Sequence, residues 1–521
     1  MIVMIGKRLQ RCYTIREICL LFIAVFSILP SYVFATNYYV ASWGNDSYSG
    51  LSWDSAFATL QHPADIVVAG DSVFSADGEY VGFDLRSGGL DSLPIVFVAY
   101  GDSVKIVTQN NVTPDGINIE NADWVVIDGF RISNIQRAGI RVAVSQHVVV
   151  RNNICDYNGK WGIFAAFADY AVIEKNVCRF SQDEHGIYFS NSADHPIIRY
   201  NVCDHNNANG IHMNGDESMG GDGLITDATV ECNIIYENGT GGGSGINCDG
   251  VAESKIFNNL LYMNHASGIS LYKIDASAGS YNDKIFNNTI VNASNARWCI
   301  NINTESTGDT VYNNILINLH SWRGSISVDS SSQQDFCSDY NILVDRMSND
   351  GGNTIMSLLE WRNLGYDYNS ILADSLDSIF VNWQIGDYHL KENSQAIDVG
   401  TDLVSSIVQY DLDSVIRPQG QGFDIGAFEY QESGVCEIDP FDKTFMDYKI
   451  IRNLSSFTFN VAVNDRIKIF DTSGRLVNDT GFLLETTYRW DLRRVPDGIY
   501  FYIIYSLSEK NMVRGKFVVM K

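Results

Sequence analysis

From about residue 127 onward, apolar and polar residues alternate in short runs instead of following a helical stripe, and each run carries a glycine or an asparagine at its start. The runs "IDGFRI", "RNNICDYN", "EKNVCRFS", "RYNVCDHN", "ECNIIYEN", "FNNLLYMN", "FNNTIVNA", "YNNILIN" and "DYNILV" align on Gly129, Asn153, Asn176, Asn201, Asn233, Asn259, Asn288, Asn314 and Asn341. The successive intervals are 24, 23, 25, 32, 26, 29, 26 and 27 residues. A second mark, Gly-Ile, falls between them at Gly139, Gly162, Gly186, Gly210, Gly245 and Gly268. A repeat of this length predicts an all-β solenoid, a parallel β-helix of about ten rungs. Each rung is too small to bury its apolar face alone. The asparagines are expected at tight turns, with amides bonded from rung to rung and with left-handed backbone. Two residues further on stand Cys155, Cys178 and Cys203, then Ile235, Leu261, Ile290 and Leu316. Cysteine takes the place of a core aliphatic there, and a buried thiol ladder is expected, because parallel side-chain vectors suit a disulfide poorly.

The beat breaks in two places. The 32-residue interval contains "GDESMGGDG", followed by "ENGTGGGSG", and the 29-residue interval contains "LYKIDASAGSYND". A solenoid lengthens a turn without disturbing its core, so long turns are where function is expected. These insertions are close in rung order and are expected to wall one cleft. Alternation in each Gly-Ile strand then points one set of side chains outward: Arg141, Tyr188 with Ser190, His212 with Asn214, Asn247 with Asp249, and Ser270 with Tyr272. His212 is expected to be solvent-exposed. Asp216, Glu217, Asp222, Lys273 and Asp275 follow just past these strands.

The chain has 521 residues, 36 of them basic and 62 acidic, for a formal charge of −26. That charge argues against nucleic acid and anionic membranes as partners. It argues more weakly against a polyanionic sugar, unless local cations or a bound metal stand at the site. Residues 1–35 combine a basic start, an apolar run from Ile18 to Val33 and a small-residue end at Val33-Phe34-Ala35, and read as an export signal with no membrane span in the mature chain. Ten cysteines, two of them in the signal, neither cluster as a disulfide scaffold nor form a CxxC zinc pair.

The stretch "YYVASWGNDSYSGLSWDSAFATLQHPADIVVAGDSVFSADGEYVG", residues 38–82, resembles the opening of secreted right-handed parallel β-helix proteins of the pectate-lyase-like type. That resemblance implies a right-handed, single-stranded helix with an N-terminal cap over its first rung. "DYHLKENSQAIDVG" and "RPQGQGFDIGAFEY" resemble the closing segment of surface-anchored bacterial β-helix proteins, which implies a solenoid ending near residue 430. The strand-period segments "IKIFDTSGRLV", "WDLRRVPDGIYFYII" and "RGKFVVMK" are similar to the small β-sandwich sorting domain of the type IX secretion route. The implied organisation is a signal at 1–35, a cap with first strands at 36–110, the β-helix with its closing segment at 111–432, a linker at 433–444 and a sorting β-sandwich at 445–521. The protein would be secreted or held at the outer cell surface through the type IX machinery, as a monomer.

Three chemistries fit the stripe. β-Elimination at a uronic acid needs a base and a cation that neutralises the carboxylate; Lys273 is the candidate base, with His212 and Asp249 beside it. Asp216, Glu217 and Asp222, with Asp249, are hard oxygen ligands suited to Ca2+. Hydrolysis needs two facing carboxylates, for which Asp216, Asp222 and Asp249 are candidates. The third possibility is a surface that binds glycan without reacting. In each case Arg141, Tyr188, Asn214, Asn247, Ser270 and Tyr272 would contact a polysaccharide. The leading expectation is a secreted carbohydrate-active enzyme with elimination ahead of hydrolysis, and the rival is a non-catalytic adhesive surface protein.

Overall fold

A computed structural model describes residues 35–431 and, beyond them, residues 437–438, 448–452, 456–460, 466–471, 475–484, 487–493, 495–496, 498–505 and 512–520. The segment expected to be an export signal, except its last residue, and most of the expected 433–444 linker lie outside the described residues. The chain divides into two units, Met1–Glu429 and Tyr430–Lys521.

The first unit is a parallel β-solenoid of about 12 turns. Three parallel sheets run along its axis. One is an unbroken sheet of eleven strands, from Phe83–Leu85 to Met347–Ser348. The other two are joined through the long strand Ile95–Thr108, whose first half pairs with Val125–Asp128 and whose second half pairs with Arg131–Ser133. The turn count exceeds the expected ten because strands at both ends escape the beat. Phe83–Leu85 precedes the first aligned run, and Cys299 and Ser325 stand where earlier strands have glycine. A short helix, Gln61–Ala64, follows the first strand, and Leu60, Ala64 and Val67 around it join the solenoid core.

Stacking puts like on like inside. Cys155 pairs in register with Cys178, Cys178 with Cys203, and Cys203 with Ile235. All three thiols are free and fully buried. Burial, and then the neighbouring thiols, push Cys178 well above the usual thiol range, so it is an inert small hydrophobe. Reductant is therefore expected to leave the thermal midpoint of the solenoid unchanged. Cys178→Ala is expected to cost about 1–2 kcal/mol, the scale of a small core truncation. A fall in midpoint on reduction would contradict the thiol assignment.

The asparagine ladder runs without a break from Asn153 to Asn341. From Asn176 on, each side-chain oxygen accepts the backbone N–H of the asparagine one rung earlier, at 2.9–3.0 Å, and Asn153 accepts that of Phe130. Each amide nitrogen in turn donates to a strand carbonyl of that earlier rung, as Asn233 does to Ile198 and Asn259 to Val230. The backbone expectation needs correcting by one position. The left-handed residues are those just before the ladder, including Asn152, Lys175, Tyr200, Cys232 and Asn258, with φ near +55°. The ladder asparagine keeps ordinary backbone because its side chain supplies the turn's bonds, so the strained φ falls on its neighbour.

That offset explains a second departure. The last strand of the solenoid proper is Ile371–Leu372, paired with Ile342–Leu343, well short of residue 430. The following segment does not cap the end but folds back along earlier rungs. Asn287 Nδ2 donates to the Asp424 carbonyl at 2.9 Å and Asn313 Nδ2 to the Thr401 carbonyl at 2.9 Å. The left-handed asparagines point their amides off the corner and so supply donors for it. Arg417 anchors the return through a fully buried ion pair with Glu429 at 2.7 Å.

The second unit has a five-stranded sheet in the order 448–452, 512–520, 498–505, 466–471, 476–482, and a three-stranded sheet of 437–438, 456–460 and 487–491. Phe459 and Trp490 from the smaller sheet share one core with Ile467, Ile469, Tyr500 and Ile504 from the larger, which makes a β-sandwich.

Candidate functional site: an outward column ending in a polar hollow

Glycine opens these strands because the neighbouring rung leaves no room for a side chain. A Cβ on Gly268 would lie 2.4 Å from the Cys299 carbonyl oxygen. Beyond it the alternation is strict: Ile187, Ile211, Ile246 and Ile269 are fully buried in the core. Their neighbours form an outward column in register, Arg141–Phe164–Tyr188–His212–Asn247–Ser270–Asn301.

The column changes character along the axis. It begins aromatic. Trp161 stacks on Phe164 with centroids 4.6 Å apart, Phe164 meets Tyr188 edge-on at 5.4 Å, and Tyr188 stacks on His212 at 4.9 Å. Trp161 and Phe164 escaped the sequence reading, which followed only polar residues although Phe164 occupies the same column position as Tyr188. Arg141 stands two rungs before Tyr188 and is ion-paired with Glu120 at 2.9 Å. At a rung spacing of about 4.8 Å it lies roughly 24 Å from Ser270.

His212 is not the exposed residue expected. Its ring is half-buried, and its Nε2 is shut off from solvent with no hydrogen-bond partner among the described residues. The cause is the stacking of Tyr188 on one side and His185, 4.7 Å away and edge-on, on another. His185 Nδ1 lies 3.3 Å from the Asn209 N–H, and His212 Nδ1 lies 3.0 Å from His185 Nε2. If Asn209 donates, His185 carries its proton on Nε2 and donates to His212, which leaves the His212 proton on Nε2. Burial drives His185 down to about 3, with the Lys160 charge adding to it. Burial and then His185 hold His212 well below the usual imidazole range. Both rings are neutral near pH 7, and the enclosed His212 ring does not act as an exposed base.

The middle of the column is closed by its own hydrogen bonds. Ser244 Oγ lies within hydrogen-bond distance of Asn247 Oδ1 at 3.1 Å and of Ser270 Oγ at 2.8 Å, and Asn247 Nδ2 donates to the Tyr272 hydroxyl at 2.6 Å. Asn247 and Ser270 are buried. Asn214 Nδ2 donates to the Tyr188 hydroxyl at 3.1 Å, while Ser190 Oγ donates to Asn191. Burial raises both tyrosines above the usual phenol range.

The two insertions do not face each other across a cleft; they pack together as one ridge. The Glu217 N–H donates to the Asp275 carbonyl at 3.0 Å, the Ser277 N–H to the Gly223 carbonyl at 3.1 Å, and Ser277 Oγ to the Asp222 carbonyl at 2.6 Å. Asp249 is buried beneath that ridge, with its oxygens accepting the backbone N–H groups of Ile274, Asp275 and Ala276. Burial raises its carboxyl above the ordinary range, and those amides oppose the rise. Lys273 Nζ donates to the Ser277 carbonyl of the same ridge at 2.9 Å. Asp216 accepts from Ser218 N and Oγ, and Asp222 from the Leu224 N–H. Asp216, Glu217 and Asp222 do not converge, and among the described residues no three His, Cys, Asp or Glu side chains group as a metal site.

An open concavity lies further along the same face. A hollow of about 270 Å³ is lined by Ser267, Arg297, Trp298, Asn301, Asn303 and Arg323, with Gly351 and Gly352 on its rim. Asn301 continues the column after Ser270, and its amide makes no hydrogen bond among the described residues. Gly352, at φ +90°, comes so near the Trp298 ring that a Cβ would sit 2.9 Å from Nε1, so a side chain there would press on the wall. Trp322, beside Arg323, is 53% exposed. These residues lack the Gly-Ile mark, which is why the periodicity did not lead to them; continuing the column by one more interval from Ser270 would have.

Residues 95–220 match the family described as "Right handed beta helix region". No curated protein sequence matches the chain. Among solved structures, a pectate lyase, Pel9A, is similar at 16% identity and a TM-score of 0.53, over 78% of this chain and 99% of that one. XylC in complex with xylose follows at 10% identity and a TM-score of 0.49, over 75% of this chain and 98% of that one. A lacto-N-biosidase from Eubacterium ramulus has 11% identity and a TM-score of 0.38, over 60% of this chain and 68% of that one. Sequence match and structural likeness together give the first unit a right-handed parallel β-helix fold.

Proposed function

We propose that the protein is an exported, carbohydrate-active β-helix protein that holds a polysaccharide along the outward column, with the hollow as the principal sugar site. The observation that carries this reading is the column itself: stacked aromatics lead through hydrogen-bonding amides and hydroxyls into an open hollow whose free polar groups include the Asn301 amide. Sugars are bound by such a combination of aromatic faces and directed polar groups. Pel9A, the neighbour that shares the fold, is a pectate lyase, which agrees with a polysaccharide as ligand. Export through the residue 1–35 signal and the type IX sorting domain belongs to the same reading. Mass spectrometry of both ends of the secreted protein tests it.

For chemistry, elimination stays ahead of hydrolysis. Hydrolysis needs two facing carboxylates, whereas Asp249 is engaged by three amides, and Asp216 and Asp222 are bonded within their own turns. Lys273 is the proposed base; Ca2+ as a cofactor would need the substrate carboxylate as a further ligand, because Asp216, Glu217 and Asp222 do not converge by themselves. The competing reading, glycan binding without turnover, is favoured by one observation: His212, Asp249 and Lys273 all make structural contacts.

A panel of plant and algal polysaccharides, followed by ultraviolet absorbance of unsaturated uronates and by reducing ends, with and without chelator, separates these readings. Absorbance lost in Lys273→Met establishes elimination, reducing ends alone establish hydrolysis, and affinity without product establishes binding. Asn301→Ala is expected to weaken sugar binding about tenfold, the worth of one hydrogen bond, with no change in thermal midpoint. Unchanged affinity would remove the hollow from the site.

A further inference from the structure

Several arginines elsewhere on the solenoid are neutralised, and Arg131, Arg346 and Arg362, which have no carboxylate partner among the described residues, are bonded to backbone carbonyls. Arg86, Arg137, Arg141, Arg151, Arg179 and Arg199 each pair with a carboxylate at 2.6–2.9 Å. That is the expected state in a chain of net charge −26, where acids outnumber bases. Arg297 and Arg323 differ from both groups in that they line the hollow, and among the described residues neither has a carboxylate partner. Arg297 is exposed, and its guanidinium makes no protein hydrogen bond among the described residues; Arg323 has one long bond, 3.4 Å, to the Ala296 carbonyl.

Two acids of the rungs around the hollow are already engaged by backbone amides. Asp350 accepts from the Asn353 and Thr354 N–H groups at 2.9 and 3.0 Å, and Asp329 accepts from the Thr304 N–H at 3.0 Å. Arg323 is also held in place. His320 Nδ1 accepts the N–H groups of Trp322 and Arg323, and Arg346 donates to the carbonyls of Asn318, His320 and Arg323. This clamp fixes the loop that carries Arg323 without neutralising it. Burial, and then the Arg323 and Arg346 charges, lower His320 below the usual imidazole range, a sign of local positive potential.

We propose that the hollow is an anion subsite, in which Arg297 and Arg323 receive the oxyanion, carboxylate or sulfate ester, of a sugar residue in a glycan chain. The inference rests on the glycan reading above and narrows it to acidic polysaccharides. A guanidinium fork matches the paired oxygens of either group, and the amides of Asn301 and Asn303 stand beside it for ring hydroxyls. The cations lift the general objection that so acidic a protein repels acidic sugars.

The test is calorimetric titration of the full exported protein with three hexamers: oligogalacturonate, a sulfated galactan and an uncharged galactan. Wild type is compared with Arg297→Gln, Arg323→Gln and the double variant. An acidic hexamer is expected to bind more tightly than the uncharged one, and the double variant to lose roughly tenfold or more of that affinity while keeping that for the uncharged hexamer. Which acidic hexamer binds distinguishes carboxylate from sulfate. Wild-type binding of the acidic hexamer is also expected to weaken with salt, a readout independent of the variants. Equal binding of an acidic hexamer by wild type and double variant overturns the anion subsite. Binding of the uncharged hexamer alone also overturns it but leaves the glycan reading standing. Binding of none of the three overturns both.

Discussion

Asn259→Ala is expected to destabilise the solenoid by about 4 kcal/mol, seen as a lower denaturant midpoint and earlier proteolysis of the middle rungs. The Asn259 side chain is fully buried and joins three successive rungs. Its oxygen accepts the Asn233 N–H and the Asn233 Nδ2 at 3.0 Å each, and its own Nδ2 donates to the Val230 and Phe257 carbonyls and to Asn288 Oδ1. Alanine strands these partners where no water reaches, and each unsatisfied buried group costs about 1–3 kcal/mol, with incomplete additivity. Because each rung contacts only its neighbours, the damage should be local before it becomes global. A loss below about 1 kcal/mol would mean that apolar stacking alone holds the rungs.

A second expected result concerns pH. Asp283 and Asp309 stack in one turn column: the Ser254 N–H donates to Asp283 Oδ1 and the Asp283 N–H to Asp309 Oδ1, while both Oδ2 atoms are buried without a partner among the described residues. Burial, countered by the Asp283 amide, raises Asp309 to about 8; burial and then the Asp309 charge push Asp283 well above the usual carboxyl range. A raised carboxyl pKa means that the folded state binds protons the unfolded chain has already released. The associated stability is fully present below about pH 4 and is lost as pH rises through about 8. Asp309→Asn keeps an oxygen to accept the Asp283 N–H but cannot ionise. It is expected to flatten the fall in stability between pH 4 and 8, gaining on the order of 2–4 kcal/mol over wild type at pH 8 and little at pH 4. Thermal midpoints across that range check it. A variant that parallels wild type at every pH would show that Asp309 does not set the slope.

The extent to which the candidate site was legible follows from the same repeat. Arg141, Tyr188, His212, Asn247 and Ser270 occupy one column because each stands at the same place after the Gly-Ile mark, which sets the strand register whatever the length of the turn between. Their accessibility was not legible. Whether His212 meets solvent depends on the Tyr188 and His185 rings, which come from the preceding rung and its turn. Asp249 was placed correctly on the outward side, yet the ridge from residues 273–277 folds over it. Asn301, Arg297 and Arg323 were missed because Cys299 and Ser325 replace the glycine that marked the earlier strands.

By itself the amino-acid order determined the solenoid, its ladder of asparagines and its buried cysteines, since these depend only on period and side-chain alternation. The tertiary structure alone decided which polar groups are spent on one another. That outcome depends on loops of irregular length, whose contacts no period encodes: the two insertions joined into one ridge, the closing segment folded back on Asn287 and Asn313, and the clamp of His320 and Arg346 around the loop that carries Arg323. Charge shows the same division. Counting residues yields −26 for the whole chain, but only the fold shows that Arg297 and Arg323 share one hollow with no carboxylate beside them among the described residues.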